Sequence, residues 1–113
     1  MALRLTKPWK ALTADNVAAL PGQLGVYELA DADGNTVAFG FAGGRALFGL
    51  RSALQDVVDR PPAGATQFRV EINAQYQTRF RELLMVHQSD HGALPPVNAE
   101  HPPIGLGRLS PLS

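Results

Sequence analysis

The sequence contains no cysteine, carries no net charge and has no long apolar run. The absence of cysteine excludes disulfide bridges and metal sites built from thiolates. Ten Lys and Arg residues balance ten Asp and Glu residues, so no overall field draws the protein to nucleic acid, and any phosphate binding must be local. The chain shows neither a signal-type run at its N-terminus nor the ~20 apolar residues of a membrane span. We therefore expect a soluble cytoplasmic protein without a membrane partner.

The chain length and the spacing of apolar residues predict one small α/β domain. A chain of 113 residues can bury a single modest core. The predicted elements, in chain order, are a helix from Thr13 to Leu20, strands over residues 24–30 and 36–41 joined by an Asp-Gly turn, a helix over residues 45–59, a strand over residues 67–72 and a long helix after it. We expect these elements to form a three-stranded, mostly antiparallel sheet flanked by helices. This domain would span residues 1–98, and residues 99–113 would form a tail.

The stretch over residues 71–98 is the most informative part of the chain. Its apolar and aromatic residues recur at steps of three and four, which forms one helix face that can pack on a sheet. These residues are Tyr76, Phe80, Leu83, Leu84 and His87. Glu82 lies beside that face, and Gly92 is a helix stop signal. Because Pro95 and Pro96 lack the backbone N–H that a continuing helix needs, we expect the chain to leave in an extended form.

Several of these features occur together in an order that resembles a known family. Gly25-Val26-Tyr27 lies in the first strand of the hairpin, the second strand ends near a glycine, and an arginine follows on the next helix. The Glu82 helix then leads into Pro95-Pro96-Val97-Asn98. From Gly22 to Asn98 the chain resembles the GIY-YIG nuclease domain.

The resemblance implies a fold, an activity and a set of site residues. Enzymes of the GIY-YIG family cleave phosphodiester bonds of nucleic acid with a divalent metal. By resemblance, Tyr27 would act on the water-activating side, Arg51 would contact the phosphate, and Glu82 would hold Mg²⁺ or Mn²⁺. One carboxylate is enough for such an ion, because Mg²⁺ keeps several waters and uses substrate phosphates as further ligands.

The second tripeptide of the family should begin with tyrosine, and here it does not. Either Ala38-Phe39-Gly40 or Phe41-Ala42-Gly43 can take its place, and the first fits the distance from the Asp-Gly turn better. Arg45 competes with Arg51 for the arginine position. Loss of a water-orienting hydroxyl is worth ~10²-fold or more in comparable acid-base roles. Two hypotheses therefore stay open: a metal-dependent nuclease, and a degenerate module that binds nucleic acid or protein. A homodimer is also open, because a minimal nuclease must cut twice or pair with itself to break a duplex.

Each of the three site residues also has a purely structural interpretation. Tyr27 in mid-strand is typical of a core aromatic residue, and a reference pKa of ~10 leaves a phenol protonated at neutral pH. Glu82 can form an ordinary helix ion pair with Arg79 or Arg81. Arg51 can be a surface residue that pairs with Asp56 or Glu28.

His87 and His91 suggest a separate site. They lie four residues apart on one helix face, which is a spacing that can chelate zinc or nickel. Asp90 lies nearby in sequence, and His101 or Glu100 in the tail offers a third ligand. The alternative is that His87 packs in the apolar stripe and His91 interacts with the negative end of the helix dipole.

The first twelve residues form a small basic arm. Arg4, Lys7 and Lys10 surround Trp9 in this segment. The arm either contacts nucleic acid or packs on the domain, with Trp9 covering an edge of the core.

Overall fold

Four strands form one antiparallel sheet with helices on both faces in the computed structural model, which describes residues 4–43, 46–62 and 64–100. The elements are β1 (Lys10–Ala11), α1 (Ala14–Ala18), β2 (Gly25–Ala30), β3 (Thr36–Ala42), α2 (Gly49–Asp59), β4 (Gln67–Ile72), α3 (Tyr76–His91) and α4 (Pro96–Glu100). The strand order in the sheet is β1-β4-β2-β3. None of the helices in the described part of the chain combines the length and the hydropathy that a membrane crossing requires.

The predicted α/β class, with an antiparallel sheet flanked by helices, is confirmed. The predicted strand count of three is wrong, because Lys10 and Ala11 pair with Phe68 and Gln67 and add a fourth strand at the outer edge. A strand of two residues has no alternation that a sequence pattern could reveal.

Local signals set the ends of most elements. Thr13 caps α1, since its hydroxyl accepts a hydrogen bond from the Asn16 N–H at 3.2 Å. Gly34 adopts a φ of 86° in the turn between β2 and β3. Gly92 ends α3 in the left-handed conformation at a φ of 78°. These three positions confirm the predicted helix start, hairpin and helix stop.

Three other boundaries differ from the prediction. Helix α2 begins at Gly49 rather than at residue 45, and Leu47 is 82% exposed instead of packing in the helix stripe. The chain does not leave α3 in an extended form, because Pro96 begins α4, and proline is tolerated in the first helical turn. Of the predicted tail, Ala99 and Glu100 belong to α4, and residues 101–113 lie outside the described residues.

The two faces of the sheet pack on different helices. Side chains alternate along each strand, so one set of positions faces α1 and α2, and the other set faces α3. On the first face, which we call the α2 face, the buried core consists of Val17, Leu20, Leu29, Val37, Ala38, Leu54, Ala65 and Phe68. On the second face, which we call the α3 face, it consists of Leu5, Val26, Phe39, Leu83 and Leu84.

Candidate functional site

Tyr27 lies in the middle of β2, and its ring packs on the α2 face. Its direct partner on β3 is Gly40. A Cβ atom added to Gly40 would lie 2.2 Å from Cζ of Tyr27, so the ring uses the space that the missing side chain leaves. Burial raises the pKa of the Tyr27 phenol, and the charge of Asp56 raises it further. The phenol is therefore held in its protonated form, whereas a base would need the opposite shift.

Arg51 lies on α2, and its guanidinium contacts an exposed aromatic ring. The Cζ atom of Arg51 lies 5.1 Å from the ring centroid of Phe48, which is 50% exposed. On its other side, Nη2 lies 3.0 Å from the point where a Cβ atom of Gly22 would be. The Nε atom of Arg51 is buried and has no hydrogen-bond partner within the described residues. Neither Asp56 nor Glu28, which the sequence offered as partners, forms an ion pair with Arg51.

The backbone N–H groups at the start of α2 are already engaged. Leu50 donates to the carbonyl oxygen of Gln23 at 2.8 Å, and Phe48 donates to Oγ of Ser52 at 2.9 Å. The N–H of Gly49 donates to an upstream carbonyl at 3.1 Å, and Gly49 has a φ of 54°. A ligand anion at this end of α2 would consequently depend on the Arg51 side chain rather than on the helix amides.

Glu82 lies on α3 in a network of two carboxylates and one arginine. Arg79 donates from Nη1 to Oε1 of Glu82 and from Nε to Oε2 of Glu71, the latter at 2.8 Å. Asn73 also donates to Glu71, at 3.1 Å. Burial alone would raise the pKa of Glu71, but the hydrogen bonds from Arg79 and Asn73 outweigh it and hold that pKa below its usual value.

The Glu82 network does not fit a divalent metal in this arrangement. The Arg79 side chain is only 6% exposed and places its positive charge between the carboxylates of Glu71 and Glu82. Over residues 4–43, 46–62 and 64–100, no three His, Asp or Glu side chains come together in a way that could hold a metal ion. The charge of Arg79, rather than a metal ion, therefore compensates the carboxylates of Glu71 and Glu82 in this structure.

The structure brings Tyr27 and Arg51 to the same side of the sheet, and Glu82 to the other. Tyr27 packs with the core of the α2 face, whereas the neighbours of Glu82 in sequence, Leu83 and Leu84, are buried on the α3 face. In the described part of the chain, no hydrogen bond or ion pair joins Tyr27, Arg51 and Glu82. The competing Arg45 lies outside the described residues.

His87 and His91 lie together but lack a third ligand in the described part of the chain. Their ring centroids are 4.3 Å apart, and the His87 ring meets the ring of Phe39 edge-on at 5.9 Å. Glu100 belongs to α4, and no metal-binding group of three includes it among the described residues, while His101 lies outside them. This geometry favours the packed interpretation of His87.

A buried ion pair on the α3 face was not anticipated from the sequence. Glu28 and Arg69 are direct cross-strand partners, and Nε of Arg69 lies 2.7 Å from Oε1 of Glu28. The hydroxyl of Thr36 donates to the same carboxylate at 2.6 Å, and the guanidinium of Arg69 lies 4.0 Å from the ring centroid of Trp9. The alternation of β4 places Arg69 on this face, but only the strand register reveals its partner.

Asn98 has a structural role at the edge of the sheet. Its side chain accepts a hydrogen bond from the N–H of Phe39 at 2.8 Å and donates to the carbonyl of Phe39 at 3.0 Å. Asn98 thus completes backbone hydrogen bonds of the edge strand β3, on the side where no further strand of the described chain pairs.

Comparison with known proteins places the chain in a family without an assigned activity. Residues 2–90 match a family described as a domain of unknown function, DUF7508. Searches of the curated proteins and of the solved structures give no match. The match covers most of the sequence, and the chain belongs to the DUF7508 family.

Proposed function

We propose that this chain is a nucleic-acid-binding module of GIY-YIG type whose cleavage chemistry has degenerated. The observation that carries the proposal is the environment of Arg51, a guanidinium that lies against the half-exposed ring of Phe48 and pairs with no carboxylate in the described residues. A guanidinium presents five N–H donors in a fork that matches a phosphate group.

The buried Nε atom of Arg51 adds an energetic argument for a ligand. A buried donor without a partner is destabilising by about 1–3 kcal/mol, and it recovers that energy when an acceptor arrives. A phosphate oxygen that draws the Arg51 side chain outward would supply such an acceptor to Nε. The ring of Phe48 beside it offers a surface on which a base can stack, a contact worth about 1–3 kcal/mol.

The environments of the other two predicted site residues argue against hydrolysis. Tyr27 is buried with a raised pKa, so its phenol is a poor base. Glu82 is paired with Arg79, and the two lie on the α3 side of the sheet. Because the site is built on the single guanidinium of Arg51 and the chain has zero net charge, the footprint covers few phosphates, so we expect a salt slope of roughly −1 for a single strand.

The test is binding of fluorescein-labelled single-stranded DNA, duplex DNA and RNA, followed by fluorescence anisotropy at low salt. Arg51→Gln should weaken binding about tenfold, the equivalent of one charge-assisted hydrogen bond, and Phe48→Ala should weaken single-strand binding by a similar factor. The matched control is Arg60→Gln, an exposed arginine at the other end of α2, which should bind like the wild type. Equal affinity of the Arg51→Gln variant and the wild type would refute the proposal.

A metal-dependent nuclease is the second candidate. It would require Arg79 to release Glu82, which lies beside an open groove of about 420 Å³ with its side chain 39% exposed. The same substrates, incubated with Mg²⁺ or Mn²⁺, distinguish the two candidates. Cleavage that is lost in both Glu82→Ala and Tyr27→Phe would establish the nuclease, and absence of cleavage together with Arg51-dependent binding would establish the degenerate module.

A further inference from the structure

The outer edge of β4 is only partly covered by β1. On its inner side, β4 pairs with β2 over its full length, from Gln67 to Ile72. On its outer side, β1 pairs only with Gln67 and Phe68. The chain before β1 contains Pro8, which has no N–H to extend the ladder, and it crosses to the α3 face, where Leu5 is buried.

The hydrogen-bond pattern identifies which backbone groups are left open. Asn73 donates inward to the carbonyl of Leu24 at 3.0 Å, and Leu12 donates from the side of β1 to the carbonyl of Thr66 at 2.9 Å. Because bonded positions alternate along an antiparallel strand, the N–H and C=O groups of Val70 and Ile72 point outward. No backbone or side-chain hydrogen bond to these outward groups is formed within the described residues.

A groove runs along this open edge. It has a volume of about 260 Å³, and its apolar wall includes Leu20, Pro21, Val70 and Ile72. Ile72 is 46% exposed at the end of the strand. An unpaired strand edge next to an apolar groove is the arrangement that accepts an extended peptide as an additional strand, with side chains entering the groove at alternate positions.

The charges around the groove favour one kind of partner. Its charged lining residues are Lys7, Lys10 and Arg69, of which Arg69 is already paired with Glu28, and no Asp or Glu of the described residues lines it. A second copy of the chain, paired edge to edge, would bring the lysines of both copies to the same interface, which is repulsive. We propose that the outer edge of β4 binds an extended, acidic segment of a partner protein, in which apolar residues alternate with Asp or Glu.

Two synthetic peptides test this proposal with the full-length chain. One alternates valine with glutamate, and the other alternates valine with lysine. The Val-Glu peptide should bind at least tenfold more tightly than the Val-Lys peptide, because only the former complements Lys7 and Lys10. The double variant Lys7→Glu/Lys10→Glu should reverse this preference, whereas Arg60→Glu, which changes charge at the end of α2, should preserve it.

Hydrogen exchange of individual amides locates the binding mode. The amides of Val70 and Ile72 should exchange rapidly in the free protein and become protected when the Val-Glu peptide is bound. The amide of Phe68 lies where β1 already pairs, so it serves as the internal control and should change little. Binding without protection of Val70 and Ile72, equal affinity for the two peptides, or no binding would overturn the proposal. A dimer in sedimentation equilibrium that the Val-Glu peptide does not dissociate would assign the edge to a second copy instead.

Discussion

The two faces of the sheet are formed by the same strands but differ in the charged residues that they carry. On the α3 face, the strands place Glu28, Arg69 and Glu71, and each of them forms an ion pair inside the domain. On the α2 face, the strands place almost only apolar residues and the ring of Tyr27. The charges on the α3 face are therefore compensated by ion pairs inside the domain. Arg51 lies on the helix that covers the α2 face, and it forms no ion pair within the described residues.

This difference separates residues that hold the fold from residues that are free for a ligand. A charge that is buried and paired is destabilising to remove, because its partner stays buried without compensation. A cation that stacks on an exposed ring can be replaced with little effect on stability but with a direct effect on binding. Glu82 belongs with the first group by its contact with Arg79, and Arg51 belongs with the second.

The largest expected effect is the loss of stability in Arg79→Ala. This change leaves Glu71 and Glu82 side by side without the guanidinium that separates them. We expect a loss of about 3 kcal/mol in the free energy of unfolding, at the lower end of the range for a broken buried pair, because both carboxylates are about one-third exposed. Urea denaturation of the variant and the wild type measures this loss.

The control for this change is Gln77→Ala, an exposed position on the same helix, for which we expect a change within ~0.5 kcal/mol. A loss below ~1 kcal/mol in Arg79→Ala would mean that solvent screens the network. In that case the carboxylates of Glu71 and Glu82 would be available to a cation, and the contrast between the two faces would fail.

A smaller effect is expected on the α2 face, in Gly40→Ala. The added methyl group would overlap the ring of Tyr27, so we expect a loss of about 2 kcal/mol. The double variant Tyr27→Leu/Gly40→Ala tests the cause, because the shorter side chain removes the overlap. It should be less destabilised than the sum of the two single changes. Additive losses would show that the backbone of β3, rather than the tyrosine ring, requires glycine.

Most of the fold could be predicted from local patterns. The hairpin follows from a turn at Gly34, strand β4 from its alternation, and the end of α3 from Gly92, and all three depend on residues that are close in sequence. Strand β1 and helix α4 could not be predicted in this way. The pairing of Lys10 with Phe68 joins distant segments, and proline at position 96 is compatible both with an extended chain and with the first turn of a new helix.

The candidate site was predicted less well, for a similar physical reason. The pairing of Glu82 with Arg79 was one of the alternatives, because the two lie three residues apart on one helix. The second partner of Arg79, Glu71, comes from β4, and no spacing rule connects a strand with the next helix. The pair of Glu28 and Arg69 likewise requires the strand register, which the sequence alone leaves open.

The smallest effect is a pH dependence of stability that arises on the α3 face from His87. Burial lowers the pKa of His87, and the neighbouring His91 lowers it further, against smaller opposite effects of Glu28 and Asp90. An unfolded histidine titrates near ~6.5, so below this pH the unfolded chain binds a proton that the folded chain resists. The stabilisation is present above pH ~6.5 and decreases as the pH falls.

His87→Gln should remove this dependence, which we expect to be roughly 0.5 kcal/mol between pH 7.5 and 5.5 after allowance for the partial exposure of the ring. Urea denaturation of the variant and the wild type at the two pH values measures the difference.

The lowered pKa of Glu71 affects stability only at lower pH, near and below the usual range of a carboxyl group, so its effect does not overlap the range from pH 7.5 to 5.5. His91→Gln is the matched comparison, since removal of its charge should raise the pKa of His87 and weaken the dependence only in part. An unchanged dependence in His87→Gln would mean that the ring is as well solvated in the folded chain as in the unfolded one, and that packing against Phe39 does not restrict its protonation.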